Sequence, residues 1–147
     1  VYELRKPCDE GWQESGQYCI RFEYVEPQSF GAAQSFCSSF GAYLVDDLNA
    51  PQHAFLRKQA KNFNFWLGLY NNGTEYLWDR GRNPAQPFNQ TAQYWNPDGQ
   101  MPAYNASSAC VYYDSTVDGD NTWRVDNCHT YRPFICQRHR YDPEYEF

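Results

Sequence analysis

Apolar and polar positions alternate at Trp12, Tyr18, Ile20 and Phe22, and Glu14-Ser15-Gly16-Gln17 interrupts the alternation. A period of two broken by a turn-forming cluster predicts an extended hairpin over residues 8–23. From Gln28 the period changes, and Phe30, Ala33, Phe36, Cys37 and Phe40 recur at helical spacing. Pro27 stands before this helix and Gly41 just after it, where the chain needs a left-handed residue. Tyr43-Leu44-Val45 reads as a short strand. A second helix is expected after Asn49, which can cap it, with Pro51 in its first turn. Phe55 and Leu56 should face inward there, and Arg57, Lys58 and Lys61 outward. Phe65-Trp66-Leu67-Gly68-Leu69-Tyr70 is a continuous apolar run, the mark of a buried central strand. Asn71-Asn72-Gly73 signals a turn, and a short strand follows at 75–79.

Residues 80–109 lose all periodicity and hold Pro84, Pro87, Pro97 and Pro102. So long an irregular stretch in a compact domain is either functional or unstructured. Its aromatics, Phe88, Tyr94, Trp95 and Tyr104, predict packed order. Three strands then close the chain, at 110–114, 123–128 and 131–138, with Asp118-Gly119-Asp120-Asn121 turning between the first two. Residues 139–147 read as a linker or tail, which leaves one domain over 1–138.

The length of 147 residues suits a single domain. A net charge of -6 on a mixed surface disfavours nucleic acid and anionic lipid as partners. No apolar run is long enough to span a bilayer, so direct membrane insertion is not expected. The start, Val1-Tyr2-Glu3-Leu4, lacks the blocks of a signal peptide, so a leader has been removed or the chain is a fragment. Six cysteines, Cys8, Cys19, Cys37, Cys110, Cys128 and Cys136, point to bridges and an oxidising compartment. Zinc sites use closer cysteine pairs. Counting alone leaves the pairing open. Three sequons, at Asn72, Asn89 and Asn105, also suit a secreted or cell-surface glycoprotein.

In combination, these motifs resemble the C-type lectin-like domain, in its long form, over nearly the whole chain. Cys8 and Cys19 match the extra N-terminal bridge, Phe36-Cys37 the cysteine of the first helix, and Trp66-Leu67-Gly68-Leu69 the core strand. Trp95 precedes the binding-loop tripeptide, and Cys110, Trp123, Cys128 and Pro133-Phe134-Ile135-Cys136 follow in the family's order. The resemblance implies an α+β fold with two helices, two small antiparallel sheets and a long irregular loop. It also implies the bridges Cys8–Cys19, Cys37–Cys136 and Cys110–Cys128.

In that family a calcium ion on the long loop chelates sugar hydroxyls. By the resemblance its ligands would come from Gln100-Met101-Pro102, Ser108, Arg124 and Val125. Calcium takes six to eight oxygens, several of them anionic. These positions offer none, and Arg124 would repel the ion, so no calcium cofactor is expected at the usual lectin site. Gln137, where the family often has Glu, weakens an auxiliary site as well. Asp114, Asp118 and Asp120 crowd one hairpin tip and form a weak metal candidate, although Asp, Gly and Asn favour turns in their own right.

No catalytic motif accompanies His53, His129 or His139, and Asp126 with His129 has no nucleophile beside it, so an enzyme is not expected. The expected function is calcium-independent extracellular recognition of a protein, in adhesion or as a receptor ectodomain. A module of an invertebrate contactin-type adhesion protein is one such form. The alternative is a secreted lectin that binds glycans without calcium, and a purely structural spacer is a third. The candidate binding residues are Asp98, Gln100, Tyr104, Tyr113, Trp123 and Arg124. Tyr, Trp and Arg are enriched at interface hot spots, although strand alternation sends about half of such positions inward.

Overall fold

The computed structural model describes residues 8–59 and 62–140. Its elements run β1 (Gln13–Ser15), β2 (Tyr18–Gln28), α1 (Phe30–Ser39), β3 (Tyr43–Leu44), α2 (Ala50–Gln59), β4 (Phe65–Asn71), β5 (Tyr76–Trp78), β6 (Gln86–Pro87), β7 (Cys110–Tyr113), β8 (Trp123–Asp126) and β9 (Arg132–His139). Helix α1 starts where Ser29 Oγ accepts the Ala32 N–H at 3.3 Å. It ends at Gly41, whose φ of 69° is the left-handed conformation anticipated there. Asn49 Oδ1 accepts the Gln52 N–H at 3.0 Å and so caps α2. Leu56 is buried and Phe55 half-buried, as the pattern requires. Lys61 lies outside the described residues.

The strands fall into two antiparallel groups. One contains β1, β2, β9 and β3, and the other contains β4 to β8. A single parallel pair, Trp66 with Phe134, joins them into one nine-stranded sheet. The two sheets expected are therefore one continuous, branched sheet. The tail begins later than expected. His139 still pairs with Tyr18, and the Arg140 N–H donates to the Gln17 carbonyl at 2.7 Å. Backbone pairing, invisible in a stretch without periodicity, extends the domain to those two residues. The remainder of the expected tail lies outside the described residues.

Two hydrophobic clusters fill the two faces of β4. Phe65, Leu67 and Leu69 join Trp78, Trp95, Trp123 and Ile135 on one face. Trp66 joins Phe30, Ala33, Leu44 and Phe134 on the other. The Trp66 indole N–H donates to the Gln28 carbonyl at 2.9 Å, so this buried ring has its polar atom satisfied. Gly68 is needed for close approach of β4 to β3. A Cβ there would stand 2.6 Å from the Leu44 carbonyl oxygen. Three disulfides, Cys8–Cys19, Cys37–Cys136 and Cys110–Cys128, tie the hairpin, α1 to β9, and β7 to the segment after β8.

Candidate functional site

The long loop is held at several points, two of which position the candidate residues. Its middle is fastened to β8. Trp95 bridges to Trp123, the Asn96 amide donates to the Asn121 carbonyl at 2.9 Å, and the Asn121 amide donates to the Pro97 carbonyl at 3.2 Å. Its second half is fastened to β5, where the Tyr76 hydroxyl donates to the Pro102 carbonyl at 3.3 Å. The Tyr104 ring lies 5.4 Å from the Tyr76 ring. Asp98 and Gln100 thus belong to the β8 side, and Tyr104 to the β5 side.

Two of the three carboxylates of the β7–β8 hairpin, those of Asp114 and Asp120, turn to protein cations. Asp114 Oδ2 accepts from Arg124 Nε at 2.7 Å, and its Oδ1 accepts the Thr116 hydroxyl at 2.6 Å. Burial works against ionisation of Asp114, but the Thr116 and Arg124 bonds outweigh it and hold the carboxyl below the usual range. At the tip, Arg57 of α2 donates to Asp120 Oδ1 at 2.7 Å, the Gly119 carbonyl at 2.9 Å and the Asp118 carbonyl at 3.4 Å. Asp114, Asp118 and Asp120 therefore do not converge into an oxygen cage. No group of three or more acidic, His or Cys side chains suited to a metal occurs among the described residues.

Beneath the loop lies a buried polar network. Asp47 and His53 are 0% and 4% exposed. Asp47 Oδ2 meets His53 Nδ1 at 2.7 Å and accepts the Trp123 indole N–H at 2.9 Å. Burial raises the Asp47 carboxyl above its ordinary range, and the bonds from His53 and Trp123 pull it partly back. The Tyr94 ring lies flat on His53, with centroids 3.6 Å apart. A second buried carboxylate, Asp46, meets Arg80 Nη2 at 3.0 Å and accepts from Gln52 and Gln137. Where the resemblance suggested an auxiliary calcium position near Gln137, the cation present is the Arg80 guanidinium.

A profile of the family described as "Lectin C-type domain" matches residues 26–138. The chain belongs to the C-type lectin domain family. This C-type lectin domain is 43% identical to Protein irg-7 of Caenorhabditis elegans over 99% of the chain and 7% of that protein. It is 24% identical to the secretory phospholipase A2 receptor of Oryctolagus cuniculus over 90% of the chain and 9% of the receptor. The chain thus spans less than a tenth of either relative. Among solved structures, a lectin C-type domain from C. elegans superposes with a TM-score of 0.72 at 38% identity, covering 88% of this chain and 89% of that one. A calcium-independent type II antifreeze protein has the same fold, with a TM-score of 0.73 at 19% identity, over 90% and 95% of the two chains.

Within this C-type lectin domain, two candidate binding residues must be corrected. Tyr113 and Trp123 are 1% and 0% exposed, so they are core residues and not contact residues. Strand alternation sends both inward, where Tyr113 stacks on Phe65 and Trp123 packs edge-on against Trp95. Burial pushes the Tyr113 hydroxyl up to about 12. Asp98, Gln100, Tyr104 and Arg124 are exposed. They are split between the two sides of the loop and do not form one cluster. At the family's calcium positions, the Gln100 N–H closes a turn on Asp98 Oδ1 at 3.1 Å, and Val125 pairs with Val111. Arg124 is held by Asp114.

Proposed function

We propose that this C-type lectin domain is an extracellular recognition module that binds a protein partner without calcium at the usual lectin position. The Arg124–Asp114 pair carries this reading. A guanidinium stands where the resemblance places an asparagine ligand, a valine follows where it places the aspartate, and Asp114 is already bonded to the guanidinium. A calcium ion there would meet a positive charge and an amide, a thioether, a proline, a hydroxyl and an isopropyl group. The calcium-independent antifreeze neighbour supports the view that the fold does not need the ion. The three disulfides suit an oxidising, extracellular setting. No helix among the described residues is long and apolar enough to cross a membrane.

The exposed residues of the β8 side, Asp98, Gln100 and Arg124, are the proposed contacts. They suit a polar protein surface, as in adhesion or a receptor ectodomain, and a contactin-type context is one form of that role. The test is affinity capture from extracellular and surface proteins, run with calcium and with chelator, beside a glycan array. Capture of one protein that survives chelator and weakens with Arg124→Ala supports the reading. Glycan-array binding that survives chelator would instead favour a calcium-independent lectin. Sugar binding abolished by chelator would overturn both.

A further inference from the structure

The three sequons are far apart in sequence, but all meet at one residue. Tyr76 pairs with Asn71 across the β4–β5 ladder. Its carbonyl accepts the Phe88 N–H at 2.9 Å. Its ring lies 5.4 Å from the ring of Tyr104. Asn71, Phe88 and Tyr104 are the residues immediately before Asn72, Asn89 and Asn105. Each sequon asparagine thus sits one residue beyond a contact of Tyr76. Partners across a ladder are about 5 Å apart and neighbouring Cα atoms about 3.8 Å. That places Asn72 and Asn89 within roughly 10 Å of Tyr76.

All three asparagines are exposed, and so are the hydroxyl residues of their sequons, Thr74, Thr91 and Ser107. Two of the asparagines anchor local turns through the side-chain oxygen. Asn72 Oδ1 accepts from Thr74 N at 2.9 Å and Glu75 N at 3.0 Å, and Asn105 Oδ1 accepts from Ser107 N at 2.9 Å. In both, the amide nitrogen that would carry the sugar makes no hydrogen bond to the described residues. The ground they surround is the free edge of the sheet, because β6 pairs only with β5. Proteins cover or blunt such edges against pairing with another chain.

We infer that all three sequons carry N-glycans and that these form one patch over the β5–β6 edge and the Tyr104 side of the long loop. The patch leaves the β8 side bare, with Asp98, Gln100 and Arg124 open to a partner. The glycan patch does not depend on what that partner is. Tyr104, 44% exposed, is the natural reporter inside the patch. Phe40, 38% exposed, packs against Trp12 beside β1, at the other edge of the strand order, and serves as the control.

The full chain, secreted from a glycosylation-competent host, is to be examined by intact mass and peptide mapping before and after enzymatic glycan removal. Asn72→Gln, Asn89→Gln and Asn105→Gln should each lose one glycan's mass. Hydroxyl-radical oxidation of Tyr104 should rise severalfold when the wild-type glycans are removed, while that of Phe40 stays constant. The comparison on wild-type protein does not depend on how the variants fold. An unmodified asparagine at any of the three sequons, or a Tyr104 rate indifferent to glycan removal, overturns the inference.

Discussion

Trp123 donates its indole N–H to the Asp47 carboxylate at 2.9 Å, joining β8 to the segment after β3. Asp47 has no contact with solvent, and its second oxygen has no partner. A buried carboxylate so sparsely bonded depends on each donor it has. Trp123→Phe keeps an aromatic ring and removes the donor. The expected cost is at least about 1–3 kcal/mol of stability, the penalty for depriving a buried acceptor of a partner, with the cavity left by the smaller ring adding to it. Urea unfolding measures it, and an unchanged midpoint would show that the bond contributes nothing.

Calcium should not stabilise the domain. A ligand that binds only the folded state raises the melting temperature, by an amount that grows with the logarithm of its concentration above Kd. The carbonyls of Asp118 and Gly119 and the Asp120 carboxylate are already engaged by Arg57. Melting temperatures with millimolar calcium and with chelator are expected to coincide. A calcium-dependent rise that disappears in Asp118→Asn or Asp120→Asn would locate an ion in the hairpin after all.

Acid should loosen the β7–β8 region first. Asp114 is held below the ordinary carboxyl range by Thr116 and Arg124 against the effect of burial. Asp126 is held there likewise by Arg132 and the Asn127 N–H. Both pKa values are lower in the folded state, so both groups contribute stability above the unfolded value, near 3.8. That contribution is lost as pH falls below it through the folded values. Stability against urea should be insensitive to these two groups above about pH 5 and should decline below about pH 4. Replacing both with Asn should flatten the acid limb of the curve.

The bridges should differ in worth according to the loops they close. Cys37 and Cys136 are 99 residues apart, against 18 for Cys110 and Cys128 and 11 for Cys8 and Cys19. Chain-entropy reasoning gives about 4–5 kcal/mol for the long loop and about 3 kcal/mol for the short ones. Paired Cys→Ala variants compared by denaturant unfolding should rank in that order. Loss of Cys8–Cys19 should be the mildest.

Periodicity exposed the elements that bury one face or both. The α1 stripe from Phe30 to Phe40, the apolar run of β4 and the helix ends at Asn49 and Gly41 were all legible, because each is set by local chemistry. Tyr113 and Trp123 were misassigned because an aromatic residue near a loop looks the same in sequence whether it faces in or out. Only pairing with Phe65 and Trp95 decides the matter. The Asp47–His53–Trp123 network was missed because Trp123 lies 76 residues from Asp47 and nothing local marks Asp47 as buried. Its sole local trace was His53, which sits three residues before Leu56 and so on the buried side of α2. The convergence of three sequons on Tyr76 was hidden for the same reason.

The Cys8–Cys19 bridge and the Tyr18–His139 pair place residues 8 and 140 at one corner of the domain. A pulling force applied between those points enters and leaves through that corner. It loads the ends of β1, β2 and β9, and bypasses β8 and the long loop. The disulfide limits how far the first hairpin can peel. Recognition by the β8 side would therefore keep its geometry under tension that already strains the ends of β1, β2 and β9.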